Sequence, residues 1–87
     1  MKVARFPNST LYDSGRMVVN FAAIIGSDAI NCAISLEALK DHFDNDCTKP
    51  TVVFSRHRPA IERIAERLIT QKRLESDGSI LIRSSDC

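Results

Sequence analysis

A histidine flanked by two arginines, Arg56-His57-Arg58, is the segment whose residue types are best suited to chemistry. A histidine can act as a general base or a metal ligand near neutral pH, and arginines can hold a phosphate or a carboxylate. His57 falls on the apolar side of a predicted helix, and no carboxylate or thiolate lies at helical spacing to orient its ring. We therefore interpret His57 as a partly buried packing residue.

The other histidine and the three cysteines offer no stronger site. His42 and Asp46 are four residues apart, but two ligands do not make a metal site. Cys32, Cys47 and Cys87 form no CxxC pair and have no histidine at zinc-ligand spacing. We predict no metal, no cofactor and no enzymatic activity, and we expect Cys32 to act as a small buried apolar group.

Four arginines near this segment form the candidate contact surface. Arg56, Arg63 and Arg67 are separated by seven and four residues, which places them on one flank of a continuous helix. We refer to these three as the arginine flank. Arg58 lies on the neighbouring flank, where it can pair with Glu62. We predict that a partner contacts the protein at these four arginines, mainly along the arginine flank.

The composition limits what such a surface can bind. The chain has 87 residues, with 12 Lys and Arg against 11 Asp and Glu, which gives a net charge of +1. No overall field therefore attracts nucleic acid or an anionic membrane. The apolar share of 44% and the charged share of 26% are typical of one globular domain, residues 1–87. Because no signal peptide or membrane span is visible and the cysteines are unpaired, we expect a cytoplasmic protein.

The first third of the chain has the alternating pattern of antiparallel strands. A short extended segment, "KVARF", comes first and ends at a turn. The apolar residues of the next segment alternate along one face: Met17, Val19, Phe21, Ala23 and Ile25. After a turn at residues 26–28, Ile30, Cys32 and Ile34 alternate in the same way, so the two segments are expected to form a hairpin. Asn20 and Asn31 fall on the opposite face.

Two helices are expected to follow the hairpin. Ser35 is suited to cap a short helix over residues 36–43. The apolar residues of the next segment recur at helical intervals straight through Pro59. This stripe predicts one helix from about Thr51 to Lys72, bent or loosened near Ser55 because Pro59 has no N–H to donate.

The end of the chain completes the predicted fold. "SILIR", residues 79–83, reads as a short strand, and the last four residues are expected to fray. The order strand, strand, strand, helix, helix, strand predicts a two-layer α+β fold, with a small antiparallel sheet and both helices on one face. Edge strands at "KVARF" and "SILIR" are places where a partner strand or a second copy can pair, so a homodimer is one expectation.

Six segments in this chain also have a distinctive order and spacing: "FP", "YD", "VVNF", "INCAISLEALKDHF", "FSRHRPAIERIA" and "DGSILIRSSD". Together they resemble a bacterial family of short proteins known only as a domain of unknown function. Phe54, Arg58, Ile61 and Glu62 fall on the family motif, whereas Pro59 is not expected there. The resemblance implies a small two-layer α+β domain, and it carries no established activity, cofactor or partner.

These features predict a small cytosolic interaction or regulatory module without catalytic activity, acting through protein–protein contacts. The partner is expected to be another protein or a second copy, and not a membrane. The alternative is a nucleic-acid-associated regulator that uses the basic flank of the long helix. It is the less favoured interpretation, because the phenylalanines are expected in the core and none is left to stack on single strands.

Overall fold

A four-stranded sheet and three short helices make up the described part of the chain, which is residues 4–7, 10–43 and 48–87 of the computed structural model. The elements are β1 Leu11–Asp13, β2 Val18–Ile25, β3 Asp28–Ser35, α1 Leu36–His42, α2 Pro50–Arg56, α3 Arg58–Thr70, β4 Ile80–Ile82 and a 3-10 turn, Ser84–Asp86. The strands lie in the order β1-β2-β3-β4. The predicted α+β class is confirmed.

The β2–β3 hairpin forms the centre of the sheet. Its register runs from Val18 opposite Ser35 to Ile25 opposite Asp28. The predicted inner face is confirmed for Val19, Phe21 and Ala23 of β2 and for Ile30, Cys32 and Ile34 of β3. Met17 is an exception, because it lies in the preceding turn with φ 55° and its side chain is 53% exposed.

The last strand differs from the predicted antiparallel arrangement. β4 pairs with β3 in parallel, with Cys32 opposite Ile80 and Ile34 opposite Ile82. Three helices intervene between these strands, and such a crossover returns the chain to the end of the sheet at which β3 began. The sheet is therefore antiparallel over β1 to β3 and parallel at β4.

The predicted long helix is divided at His57, which makes three helices instead of two. α2 ends at Arg56, His57 has φ −114° and ψ 19°, and α3 begins at Arg58. Pro59 thereby falls in the first turn of α3, where a missing N–H breaks no helical hydrogen bond. The break lies at His57 rather than near Ser55, since an unbroken helix would need a Pro59 N–H to bond the Ser55 carbonyl.

The core lies between the sheet and the helices. Its fully buried side chains include Val19, Ile34, Leu39, Phe54, Ile61, Ile80 and Ile82. The rings of Phe21 on β2 and Phe54 on α2 lie 4.9 Å apart and tilted, which fixes α2 against the sheet. His57 is half-buried, 5.2 Å from the ring of Phe43, so its interpretation as a packing residue is confirmed.

The ends of the elements are held by specific bonds. Ser35 caps α1 as predicted, because its Oγ accepts a hydrogen bond from the Ala38 N–H at 3.1 Å. In the described part of the predicted "KVARF" strand, Arg5 and Ile24 exchange two backbone hydrogen bonds of 2.8 and 2.7 Å, which places Arg5 beside β2 on the same side as β1. Asp46 and Cys47, which the sequence analysis considered as metal ligands and did not select, lie outside the described residues.

Candidate functional site

Arg58, one of the predicted contact residues, is held inside the molecule. Its Nη2 donates to the Pro7 carbonyl, and its Nε pairs with Glu62 at 2.7 Å, so the predicted ion pair is confirmed. The guanidinium also lies 5.4 Å from the centre of the Phe54 ring. With a side chain only 18% exposed, Arg58 connects the N-terminal segment to α3 and has little area to offer a partner.

The arginine flank is distributed over two helices. Arg63 and Arg67 lie one turn apart on the exposed side of α3, and both border a depression shared with Glu66 and Thr70. Arg67 also donates to the backbone carbonyl of Asp86. Because Arg56 is the last residue of α2, the break at His57 separates its helical phase from that of the other two.

The C-terminal turn, Ser84–Asp86, is docked on the helices, so the prediction that the tail frays is wrong. The hydroxyl of Ser84 donates to the Asp41 carboxylate at 2.7 Å. His42 Nε2 lies 2.8 Å from the Ser84 carbonyl oxygen, and Arg67 holds the Asp86 carbonyl. These contacts join α1 and α3 to the end of the chain.

Asp41, His42 and Ser84 are the residue types of a hydrolase triad, but they are not bonded in the order that a triad needs. His42 Nε2 lies 2.8 Å from the Ser84 carbonyl oxygen, which can only accept, and 3.1 Å from the Ser84 Oγ. The Ser84 hydroxyl uses its single proton to bond Asp41. Asp41 thus bonds Ser84 and not His42, so the three groups do not have the Ser–His–Asp order of a triad, and the cluster is an anchor for the C-terminal turn.

Cys32 is a packing residue on the inner face of β3. Its side chain is 2% exposed within the core, as predicted. Burial raises the pKa of the Cys32 thiol to about 12, so the thiolate needed for nucleophilic attack is disfavoured at neutral pH. Among the described residues, no group of three or more His, Cys, Asp or Glu side chains is placed to hold a metal ion.

The face of the sheet that the helices leave open carries a groove. Directly paired residues share a face, so Asn20, Ala33 and Leu81 form one row across β2, β3 and β4. Ala33 is small and only 5% exposed, because its two larger neighbours stand above it. A cavity of about 290 Å³ lies over this row. Its lining includes Arg16, Asn20, Asn31, Ala33, Asp77 and Leu81.

A second cavity, of about 760 Å³, continues this groove toward α1 and the C-terminal turn. Arg16 and Leu81 border both cavities. Val18 and Ser35, the next paired row on the same face, line the second one. The two cavities thus form one channel along β3, which we name the sheet groove.

Three polar side chains of the sheet groove have no hydrogen bond or ion pair with another described residue: Arg16, Asn20 and Asn31. Arg83, which also borders the groove, is instead paired with Glu75 at 2.8 Å. Because the polar atoms of the three side chains are not buried, water satisfies them in the unbound protein. A ligand can replace that water without breaking an internal bond.

Asp77 stands at one end of the sheet groove in a fixed orientation. Its Oδ1 accepts hydrogen bonds from the Ser79 hydroxyl at 2.6 Å and the Ser79 N–H at 3.0 Å. The bonds from the Ser79 side chain and backbone lower the pKa of the Asp77 carboxyl, and the positive charge of Arg16 contributes in the same direction. Asp77 is therefore a charged acceptor at neutral pH.

The sequence interpretation placed Asn20 and Asn31 on the correct face but did not select them as site residues. Asparagine is disfavoured in strands, so two asparagines inside neighbouring strands on one face were the available signal. The position of Arg16 could not be found in this way. It depends on the turn before β2, in which the next residue, Met17, has a positive φ.

The fold and the groove define a small two-layer α+β domain with a mixed sheet that is open on one face. None of the helices in the described part of the chain has the length and apolar character needed to cross a membrane. The chain belongs to the family described as "Protein of unknown function (DUF1488)", whose match covers residues 5–82. The predicted resemblance is confirmed.

Relatives of known sequence and structure agree with this assignment. The uncharacterized protein YrdB of Escherichia coli K12 is 31% identical over 75 residues, which are 85% of this chain and 88% of that protein. The Shigella flexneri YrdB is 29% identical over the same shares. A crystal structure of a DUF1488-family protein of unknown function from Shewanella loihica PV-4 superposes with a TM-score of 0.83, covering 91% of this chain and 90% of that one. At 23% identity, that likeness concerns the fold.

Proposed function

We propose that this protein is a cytoplasmic, non-catalytic interaction module that binds a partner protein through the open face of its sheet. The observation that carries the proposal is the sheet groove, where Arg16, Asn20 and Asn31 are polar, reachable by water and without partners among the described residues. Ala33 and Leu81 provide an apolar floor between them. Apolar contact area with a few polar groups at fixed positions is the usual composition of a binding site.

The proposal that the protein is non-catalytic rests on the structural roles of its cysteine, histidine and serine side chains, the residue types that most often act in catalysis. Cys32 is buried with a raised pKa, which favours the unreactive thiol. His42 contacts the Ser84 carbonyl and the Ser84 hydroxyl donates to Asp41, so these groups act together as an anchor. Each of these groups has a structural role that accounts for its position.

The arginine flank is a second surface through which such a module could act. Arg58 contributes little to it, because its side chain is only 18% exposed and its Nε and Nη2 bind Glu62 and the Pro7 carbonyl. Arg63 and Arg67 remain on the exposed side of α3. Nucleic acid is the alternative partner for this flank, although Glu66 in the same depression disfavours a run of phosphates.

Self-association is a further form of the proposal. β1 and β4 are the edges of the described sheet, and β4 has only three residues, Ile80–Ile82. A short edge strand can still pair with the same strand of a second copy across a two-fold axis. Light scattering after size-exclusion chromatography at high micromolar concentration gives the mass that decides between monomer and dimer.

Three charge reversals of equal size separate these surfaces. Arg16→Glu changes the sheet groove, Arg63→Glu changes the arginine flank, and Lys40→Glu is the matched control on the exposed side of α1. Each variant is immobilised and used to capture proteins from an extract of the native cell, with and without nuclease. Circular dichroism confirms that each variant is folded before capture.

The expected result is a partner lost with Arg16→Glu and retained with the other two variants. If the partner is lost only with Arg63→Glu, the contact surface is the arginine flank. If the partner is lost after nuclease treatment, the nucleic-acid alternative is supported. Identical captures with Arg16→Glu and Lys40→Glu would remove the sheet groove from the proposal.

A further inference from the structure

We infer that the sheet groove recognises an extended peptide segment that carries one carboxylate, an Asp or Glu side chain, near its middle. The inference rests on the proposed function and names the chemistry of its partner. It uses the length of the groove, the spacing of its asparagines and the order of its charges.

The length of the sheet groove matches a short extended segment. It follows β3 on the open face from Asn31, through Ala33, to Ser35. Four residues of strand span about 13 Å, and the second cavity continues past Ser35 toward Glu37. About five residues of extended peptide therefore match the length of the groove.

The two asparagines are placed to bind a peptide backbone. Asn20 lies opposite Ala33 and Asn31 lies opposite Ala22, so the asparagines are diagonal neighbours on adjacent strands. Diagonal neighbours are about 7–8 Å apart, close to the two-residue repeat of an extended chain. A primary amide offers a donor and an acceptor side by side, which is the pattern that a backbone amide complements. The pair can thus bind successive backbone groups on the same side of a peptide.

The order of charges along the groove selects one central carboxylate. Arg16 borders both cavities and its side chain has no hydrogen bond or ion pair with another described residue, so a positive charge lies where the two cavities meet. Asp77 lies at one end and Glu37 at the other. A planar guanidinium binds a carboxylate through two parallel hydrogen bonds. The acids at both ends repel a polyanion, so a phosphate backbone fits this groove less well than a peptide with a single negative side chain.

Two peptide pools test the inference. Both contain acetylated, amidated heptapeptides of mixed neutral residues, and they differ only in a central Asp or Asn. Each pool is titrated to millimolar concentration into the ¹⁵N-labelled full chain, and the side-chain amide signals of Asn20 and Asn31 are followed by NMR. The same titrations are repeated with Arg16→Gln and with the control Arg63→Gln, which lies on α3 outside the groove.

The Asp pool is expected to shift both asparagine signals and to bind about tenfold more tightly than the Asn pool. Arg16→Gln should remove this preference, and Arg63→Gln should keep it. Equal binding of the two pools, no shift at the groove, or a preference that survives Arg16→Gln would overturn the inference.

The failure of the inference can be told apart from the failure of the proposed function. If Arg16→Glu loses a cellular partner but neither pool binds, the groove is an interaction surface for another chemistry. If the capture is insensitive to Arg16→Glu and the Asp pool still binds, the groove recognises carboxylate peptides but is not the surface that the captured partner uses.

Discussion

The Ser84 hydroxyl donates to the Asp41 carboxylate at 2.7 Å, across 43 residues of sequence. This bond joins the C-terminal turn to α1, and the adjacent His42 holds the backbone of the same turn. The end of the chain is thereby part of the folded domain, next to the second cavity of the sheet groove.

The first prediction concerns this bond. Asp41→Ala and Ser84→Ala should each lower the free energy of unfolding by about 0.5–1 kcal/mol, because the bond is partly exposed to water. In a double-mutant cycle the two changes should be non-additive, since they remove the same interaction. Urea denaturation measures both effects. Ser85→Ala, at an exposed neighbouring serine, is the control, and an equal loss there would show that the bond is not the cause.

The second prediction concerns the reactivity of the cysteines. In a Cys47→Ser background, the native protein should react with a thiol reagent at pH 8 at Cys87, because that side chain is exposed. Cys32 should react only after unfolding, since it is buried and its pKa is raised to about 12. Absorbance assays in buffer and in guanidinium count the thiols. Two fast thiols in the native protein would contradict the placement of Cys32.

The same thiol predicts an alkaline loss of stability. Burial raises the pKa of this thiol from 9.0 in the unfolded chain to about 12 in the folded protein, so the unfolded state releases the proton at lower pH. The contribution to stability is complete below pH 9 and decreases as the pH rises toward 12. Cys32→Ala should remove this contribution and flatten the decrease in unfolding free energy over that range. If the unfolding free energy of Cys32→Ala decreases as steeply as that of the parent protein, groups other than Cys32 cause the alkaline loss of stability.

A third prediction concerns Asp77 at the end of the sheet groove. Its carboxyl should titrate below 3.8, and Ser79→Ala should raise this pKa by removing the 2.6 Å hydroxyl bond. Because the pKa is lowered on folding, the stabilisation is present above pH 3.8 and is lost as the pH falls through the folded value. Carbon-detected NMR measures the titration. Ser76→Ala is the control, and an unchanged pKa in Ser79→Ala would rule out the hydroxyl bond as the cause.

A fourth prediction concerns Arg58. Arg58→Met should lower the free energy of unfolding by about 1–2 kcal/mol, because it removes the Glu62 pair and the bond to the Pro7 carbonyl. The amide protons of Arg5 and Ile24, which bond each other's carbonyls, should then exchange faster with deuterium. Arg63→Met, on the exposed side of α3, should leave both quantities unchanged. Unaltered exchange in Arg58→Met would show that the N-terminal segment is held by other contacts.

The two faces of strands β2 and β3 were predictable because they depend on the alternation of neighbouring residues. Alternation placed Phe21 and Cys32 on the inner face and Asn20 and Asn31 on the outer one, and the structure agrees. A strand has a side-chain period of two, so one wrong register would expose the whole apolar set. The cap at Ser35 was predictable for a similar reason, since its oxygen bonds an N–H only three residues away.

The contact surface was less predictable because helical spacing describes direction and not contacts. Arg58 and Arg67 are both arginines at helical intervals, yet one binds Glu62 and the Pro7 carbonyl and the other bonds the Asp86 carbonyl. Those carbonyls belong to segments distant in sequence, and their approach depends on the packing of the whole domain. The sheet groove likewise requires Arg16 from a turn to approach the β4 side of the sheet.

The sequence by itself determined the class of this protein: an α+β domain with strands β2 and β3 in their register, a capped α1 and an apolar stripe for α2 and α3. These features arise from the periodicity of neighbouring residues and from single caps. Only the tertiary structure decided that β4 is parallel to β3 and that the helix breaks at His57. Each of these depends on how segments far apart in sequence share one core, and local propensity carries no information about that choice.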